Sequence, residues 1–187
     1  MRPRRRHSGD ELTARTRRSP LGCNPDSTSV WQSISQASSR IFGGKAFEQG
    51  SAYSISGCSG AALWLPPGVH PDEEALAGLI QRSVSEHKLE EVLGVFEQMG
   101  SYHPSEPHWY LPLIGVDPAQ QGRGYGSALM EHALIRCDRD QKLAYLESSN
   151  PKNISLHERH GFELLGTIRL ADHRPFAPCG ANRNHNN

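Results

Sequence analysis

Val116-Asp-Pro-Ala-Gln-Gln-Gly-Arg-Gly-Tyr-Gly-Ser127 sets glycine at three alternate positions, Gly122, Gly124 and Gly126, immediately ahead of an amphipathic stretch. With no Cβ in the way, successive backbone N–H groups can turn toward one centre, which is what binding a pyrophosphate requires. Leu129, Ala133, Leu134 and Cys137 then recur at three-and-four spacing. That spacing predicts a helix whose N-terminus opens on the loop and attracts an anion through its dipole and unpaired N–H groups. Upstream, Trp109-Tyr-Leu-Pro-Leu-Ile-Gly-Val116 predicts a buried strand, and downstream Leu143-Ala-Tyr-Leu-Glu147 predicts another. The unit is β-loop-α-β, and a right-handed crossover makes its two strands parallel.

Three nucleotide-type readings compete for such a unit. A Walker loop needs Gly-Lys-Ser/Thr at its end, and no lysine lies between Leu111 and Gln141. The dinucleotide fingerprint G-x-G-x-x-G is met at Gly122 and Gly124, with Glu147 placed where a ribose-binding acid would sit, and an NAD-binding protein is one alternative. Ser127 holds the place of its third glycine, however, and Asp117 to Gln121 separate the strand from the glycines. The third reading is an acyl-CoA loop. Gln121-x-x-Gly124-x-Gly126 resembles the Q/R-x-x-G-x-G/A loop of the GCN5-related N-acetyltransferases, the GNAT family. A second segment of that family, N-x-x-x-x-x-L-Y-x-x-x-G-F, is matched by Asn150, Leu156, Gly161 and Phe162, with His157 where the family has tyrosine. Glu106-Pro-His-Trp-Tyr-Leu111 and Tyr145-Leu-Glu-Ser148 are similar in wording to the branch that contains puromycin N-acetyltransferase.

The resemblance covers about Ile41 to Ile168 and implies an α+β fold: a mixed, mostly antiparallel sheet with a central β-α-β acyl-CoA unit and flanking helices. It implies acetyl-CoA as cosubstrate and direct attack by the primary amine of a small molecule, without a covalent acyl-enzyme. Cofactor contacts are expected from the main chain of Ile114 and Val116, from Gln121, Gly122, Arg123, Gly124, Tyr125, Gly126 and Ser127, and from Asn150, which also caps a helix. His157 takes the position of the residue that protonates the leaving thiolate, and as an imidazolium it would do so only below its own pKa. Glu106, His108 and Glu147 are the candidates for the base that deprotonates the acceptor, Glu106 foremost. A catalytically inactive acyl-CoA-binding module is the other alternative, because the family's first strand is not recognisable and its last is weak.

The 187 residues suit one domain, and equal numbers of basic and acidic side chains, 20 each, leave no basic footprint for nucleic acid. Cys23, Cys58, Cys137 and Cys179 are scattered without zinc or redox spacing, so reduced thiols in a cytoplasmic protein and no bound metal are expected. No apolar run reaches the roughly 18 residues of a membrane span. A small-molecule amine is the expected partner, and a homodimer is left open. Residues 1–29, rich in arginine, are expected to form a disordered tail, residues 30–170 the acetyltransferase domain, and residues 171–187 a polar tail.

Within the domain, Val30 to Ile41 has a helical pattern stopped by Gly43-Gly44, and Ala52–Ser56 with Ala61–Leu65 predicts a hairpin. Two helices follow, one from Pro71-Asp-Glu-Glu74 and one carrying Leu89, Val92, Leu93, Phe96 and Met99. They stand between the third and fourth family strands, where they are expected to wall the acceptor pocket. After Asn150-Pro151 starts a short helix, Phe162 to Ile168 predicts a strand.

Overall fold

A computed structural model describes residues 12–13, 41, 43–55, 59–84, 86–168 and 177–181. In chain order its elements are β1 (Leu12–Thr13), α1 (Gly44–Glu48), β2 (Ala52–Ile55), β3 (Gly60–Leu65), α2 (Glu73–Ser83), α3 (Glu86–Tyr102) and β4 (Trp109–Val116). They continue as α4 (Tyr125–Asp140), β5 (Ala144–Ser148), α5 (Ile154–Arg159), β6 (Glu163–Leu164) and β7 (Ala177–Ala181), with 3₁₀ turns at Pro118–Gln120 and Pro151–Asn153. Among the described residues the strands form one seven-stranded sheet in the order β1-β2-β3-β4-β5-β7-β6. Only β4 and β5 run parallel, and every other pair is antiparallel, so the mixed α+β sheet is the one expected.

Alternation along the strands divides the core between two faces. Tyr53, Ile55, Ala62, Trp64, Trp109, Leu111, Ala144 and Leu146 face α4 and pack on its Leu129, Met130, Ala133, Leu134 and Cys137. Ala52, Leu63 and Leu65 face the other way and are covered by Ala46 of α1, with Tyr110 and Leu113 packed beside them. Both faces of β3 are therefore buried, which explains its continuous apolar run. The helix α2 starts where Asp72 Oδ1 accepts the Ala75 N–H at 2.9 Å, with Glu73 and Glu74 in its first turn.

Both ends of the sheet correct the sequence reading. Leu12 and Thr13, inside the segment expected to be disordered, pair with Ile55 and Ser54, so the strand that seemed missing is present as two residues. The supposed polar tail contains β7, whose five residues pair with all of β5 and wedge it away from β6. Pro178 lies inside that strand at no cost in bonding to β5. Its carbonyl accepts the Leu165 N–H at 2.9 Å, so both of its main-chain groups point to the β6 side, where β6 has ended. The strand expected from Phe162 to Ile168 is only Glu163–Leu164. Gly43-Gly44 stops no helix, since Gly43 has helical backbone and Gly44 opens α1, while the helix expected over residues 30–41 lies outside the described residues except for Ile41.

The end of α3 is seated on the chain between β6 and β7. A Cβ built on Gly166 would overlap the Tyr102 ring, so only glycine lets the two segments approach this closely. Gly166→Ala should therefore push Tyr102 and the end of α3 outward and lower stability by about 1–3 kcal/mol. Urea unfolding of Gly166→Ala, Tyr102→Ala and the double variant checks this: the loss should be largely cancelled in the double variant, as contact between the two sites requires.

Candidate active site

Where β4 and β5 part company is set by one extra residue. The strands pair from Trp109/Ala144 to Leu111/Leu146 and no further. On the other edge of β4, Leu65 pairs with Tyr110 but Leu63 pairs with Leu113, so Leu111 and Pro112 together oppose Trp64 in a β-bulge. The bulge inverts which main-chain groups face which neighbour. Before it, the Trp109 N–H donates to Leu143 at 2.8 Å, on the β5 side. After it, the Asp117 N–H donates to Ser59 at 2.9 Å, on the β3 side. Counting back by twos, Gly115 and Leu113 face β3, whereas Val116 and Ile114 turn their peptide groups toward the gap that β5 has left. The Val116 carbonyl there is met at 3.4 Å by Gln121 Nε2. Ile114 and Val116 therefore have main-chain groups that no described strand takes up on that side.

The gap leads to the glycine loop. Asp117 caps the 3₁₀ turn by accepting the Ala119 N–H at 2.8 Å, and Gly122 and Gly124 follow with φ of 77° and 84°, in the left-handed region that glycine enters freely. Gly124 is the N-cap residue of α4, with no side chain to satisfy the first N–H groups of the helix. A Cβ at either glycine would point into open space, so both are there for conformation and leave the helix N-terminus uncovered by side chains of their own. Gly126 has a different reason. It is already helical, and a Cβ there would lie 3.2 Å from Leu156 Cδ2, so it allows α5 to lie against α4. Ser127 Oγ joins the same contact, 3.1 Å from His160 Nε2. Gln121 and Arg123 are exposed, while Tyr125 packs against the core beside Ile114 and Val116. Asn150 is a cap, its Oδ1 accepting the Lys152 N–H at 3.1 Å.

On the opposite face of the sheet from α4, at the pair where the strands separate, lies a cluster of titratable side chains. Glu147 follows Leu146, the last residue of β5 paired with β4, and its carboxylate accepts from His103 Nε2 at 3.0 Å and from the Tyr110 hydroxyl. Burial, then the charge of Glu147, raise the Tyr110 pKa well above that of an ordinary tyrosine, so it remains a donor. The His103 ring is held between Tyr145 at 4.3 Å and Tyr110 at 4.9 Å, with His108 at 5.5 Å. Burial pushes His108 below the ordinary histidine range, partly opposed by the bond to the Glu106 carbonyl. Sequence reading missed His103, because it ends the long loop-and-helix segment between β3 and β4 and belongs to no motif.

Glu106 is not at this centre. It is exposed before β4 begins, in a polar hollow formed with Pro104, Ser105, Pro107, Gln141, Lys142 and Leu143. That hollow lies at the N-terminal ends of β4 and β5, while the gap opens toward their other ends. The NAD reading fails for related reasons: Glu147 is bound to His103 on the face away from α4, and β5 has an antiparallel neighbour in β7 where a doubly wound sheet is parallel.

His157 is buried at 2% exposure on α5, its ring 6.2 Å from that of Phe162, and its Nδ1 has no hydrogen-bond partner among the described residues. Burial, with a smaller contribution from His160, pushes its pKa down to about 4. The ring is neutral at pH 7, so an imidazolium form is confined to strongly acidic pH. One N–H of the neutral ring remains available to donate.

Family comparison agrees with this geometry. The chain belongs to the acetyltransferase (GNAT) family, whose family model matches residues 36–162. It is 39% identical over 62 residues to an uncharacterised N-acetyltransferase of Schizosaccharomyces pombe, a match covering 33% of this chain and 25% of that protein. It is 36% identical over 63 residues to the mycothiol acetyltransferase of Mycolicibacterium gilvum, covering 29% of this chain and 21% of that one. Each match thus spans a quarter or less of the curated relative. In fold it is similar to the polyamine N-acetyltransferase of Drosophila melanogaster, with a TM-score of 0.54 at 17% identity over 72% of this chain and 76% of that one. Arylalkylamine N-acetyltransferase 2 of Aedes aegypti gives 0.53 at 13% identity, covering 72% and 74%. No helix of the described residues is long and apolar enough to cross a membrane.

Because the pKa of His157 falls from an ordinary 6.5 to about 4 on folding, the unfolded chain binds the extra proton first between those values. Its contribution to stability is complete above pH 6.5 and is lost as the pH drops toward 4, about 3 kcal/mol in all. Urea unfolding at pH 7 and pH 4.5 should show a loss in the wild-type protein that is clearly smaller in His157→Phe.

Proposed function

We propose that the protein is an acetyl-CoA-dependent N-acetyltransferase that modifies the primary amine of a small molecule by direct attack. The observation that carries this reading is the bulge at Leu111 and Pro112, which opens β4 from β5 and turns the peptide groups of Ile114 and Val116 into the gap. Residues on either side of the gap fit an acyl-CoA. The open space at Gly122 and Gly124, beside the uncapped N-terminus of α4, suits a diphosphate. Ile114 and Val116 offer main-chain donors and acceptors along an extended arm.

When bound, acetyl-CoA supplies an activated thioester carbonyl. The chain's residues do the rest: the loop N–H groups hold the diphosphate, and Gln121 braces the loop through the Val116 carbonyl. A main-chain N–H at the gap stabilises negative charge on the carbonyl oxygen as the amine attacks. His157, neutral and buried, offers an N–H to the departing sulfur. General-acid help of this kind contributes about 10² to 10⁴ in rate, and less for a leaving group as good as a thiolate.

Thermal unfolding with acetyl-CoA, CoA and NAD, followed by free-thiol release across a panel of amines, tests the assignment. A ligand at about 100 times its dissociation constant should add about 2.7 kcal/mol of stability. Stabilisation by acetyl-CoA with amine-dependent thiol release is expected. Stabilisation without turnover would make the protein a cofactor-binding module, and stabilisation by NAD alone would reject the reading. Gly124→Asp should remove the acetyl-CoA effect while the protein stays folded, since aspartate tolerates the left-handed backbone but brings negative charge to the diphosphate position. His157→Phe should lower kcat at every pH with acetyl-CoA binding nearly unchanged.

A further inference from the structure

We infer that His103 is the general base for the acceptor amine and that Glu147 is the positioning residue that holds its ring, an inference that rests on the acyltransferase reading above. Glu147 itself is poorly suited to meet the amine. Its side chain is 5% exposed and its carboxylate already accepts from His103 and Tyr110. The His103 side chain is 32% exposed. A carboxylate only accepts, so its bond to Nε2 fixes the hydrogen on that nitrogen and leaves the lone pair on Nδ1. No described residue bonds Nδ1. This is the arrangement by which a buried carboxylate orients a histidine and stabilises the imidazolium formed when it takes a proton.

Position supports the assignment. Glu147 stands one residue past the last β4–β5 pair, on the face of the sheet away from α4. An acyl group reaching through the gap from the loop side meets an acceptor on the side where His103 waits. Tyr145 and Tyr110 hold the ring at 4.3 and 4.9 Å, and Gly166 seats Tyr102, the residue before His103. The groups facing His103 are Glu147 and Tyr145 from β5, Tyr110 from β4 and His108 just before it, with His70 acting electrostatically on His108. Of these, Glu147 carries a negative charge and bonds the ring directly, while burial lowers the pKa of His108.

Protons balance as follows. An ammonium acceptor gives up two protons in becoming an amide: one passes to Nδ1 of His103 and then to solvent, and the other ends on the departing sulfur. The N–C bond to the acyl carbon forms as the C–S bond breaks, and no oxidant or further reactant is needed.

The test uses the full chain, acetyl-CoA and the best amine from the panel. In His103→Gln, kcat/KM for the amine at pH 7 should fall about 10²-fold or more, while the thermal shift with acetyl-CoA is unchanged. The wild-type pH profile should break where a histidine loses its proton, and the variant should lose that break. Imidazole in solution should partly restore His103→Ala, and Glu147→Gln should lower kcat for the amine while the acetyl-CoA shift is unchanged, since it removes the carboxylate that orients the ring. Wild-type turnover and an unaltered profile in His103→Gln would overturn the base assignment alone, as would loss of the acetyl-CoA shift in that variant, which marks a structural role. No thiol release by the wild-type protein with any amine would overturn the enzyme reading, and this inference with it.

Discussion

Pro112 has no N–H to give, and it lies in β4 one residue beyond the last pair with β5. With Leu111 it forms a bulge against the single residue Trp64, and from this point the parallel ladder ends while the antiparallel ladder to β3 continues. The rest of the molecule is arranged around that divergence. The glycine loop closes its far end, α4 and α5 cover one face, and the His103–Glu147 pair lies on the other. A regular ladder between β4 and β5 would leave no gap for a chain to pass, and it would consume the peptide groups of Ile114 and Val116 in strand pairing.

Holding the gap open requires both strands to be secured elsewhere. β3 secures β4 along the whole stretch beyond the bulge, from Leu113 to Val116. β7 secures β5 through all five of its residues, including Glu147 opposite Pro178. A separation that would otherwise expose two edges is thus confined to the inner edges, where a ligand can use them. Insertion of β7 between β5 and β6 also brings Gly166 under Tyr102, so the helical segment between β3 and β4 ends beside the gap and delivers His103 to Glu147.

His157 and His103 show how one residue type acquires two characters. His157 is enclosed by the α5 packing, its Nδ1 without a partner among the described residues, and burial keeps it neutral at pH 7. His103 is a third exposed and bound to a carboxylate, so a positive charge there would have an immediate partner. The environments differ in solvent and in counter-charge, the two factors that set a histidine's protonation.

The sequence by itself determined the β-loop-α-β unit, the hairpin of β2 and β3, the two helices before β4 and the cap at Asn150. Each is written in local periodicity or in a residue with a restricted backbone, and Gly122 and Gly124 were legible because left-handed backbone has few other tenants. Only the tertiary structure decided the rest. Leu12–Thr13 and Ala177–Ala181 lack a strand pattern of their own and became strands because neighbouring edges offered them hydrogen bonds. Gly126 was read from spacing for the phosphate cradle, and only the structure shows that it also allows a helix contact with Leu156. Glu106 stood close in sequence to the right strand yet at its wrong end, whereas His103 and Glu147, 44 residues apart, meet at 3.0 Å. Strand order sets that meeting, and strand order is fixed by long-range pairing that no local pattern records.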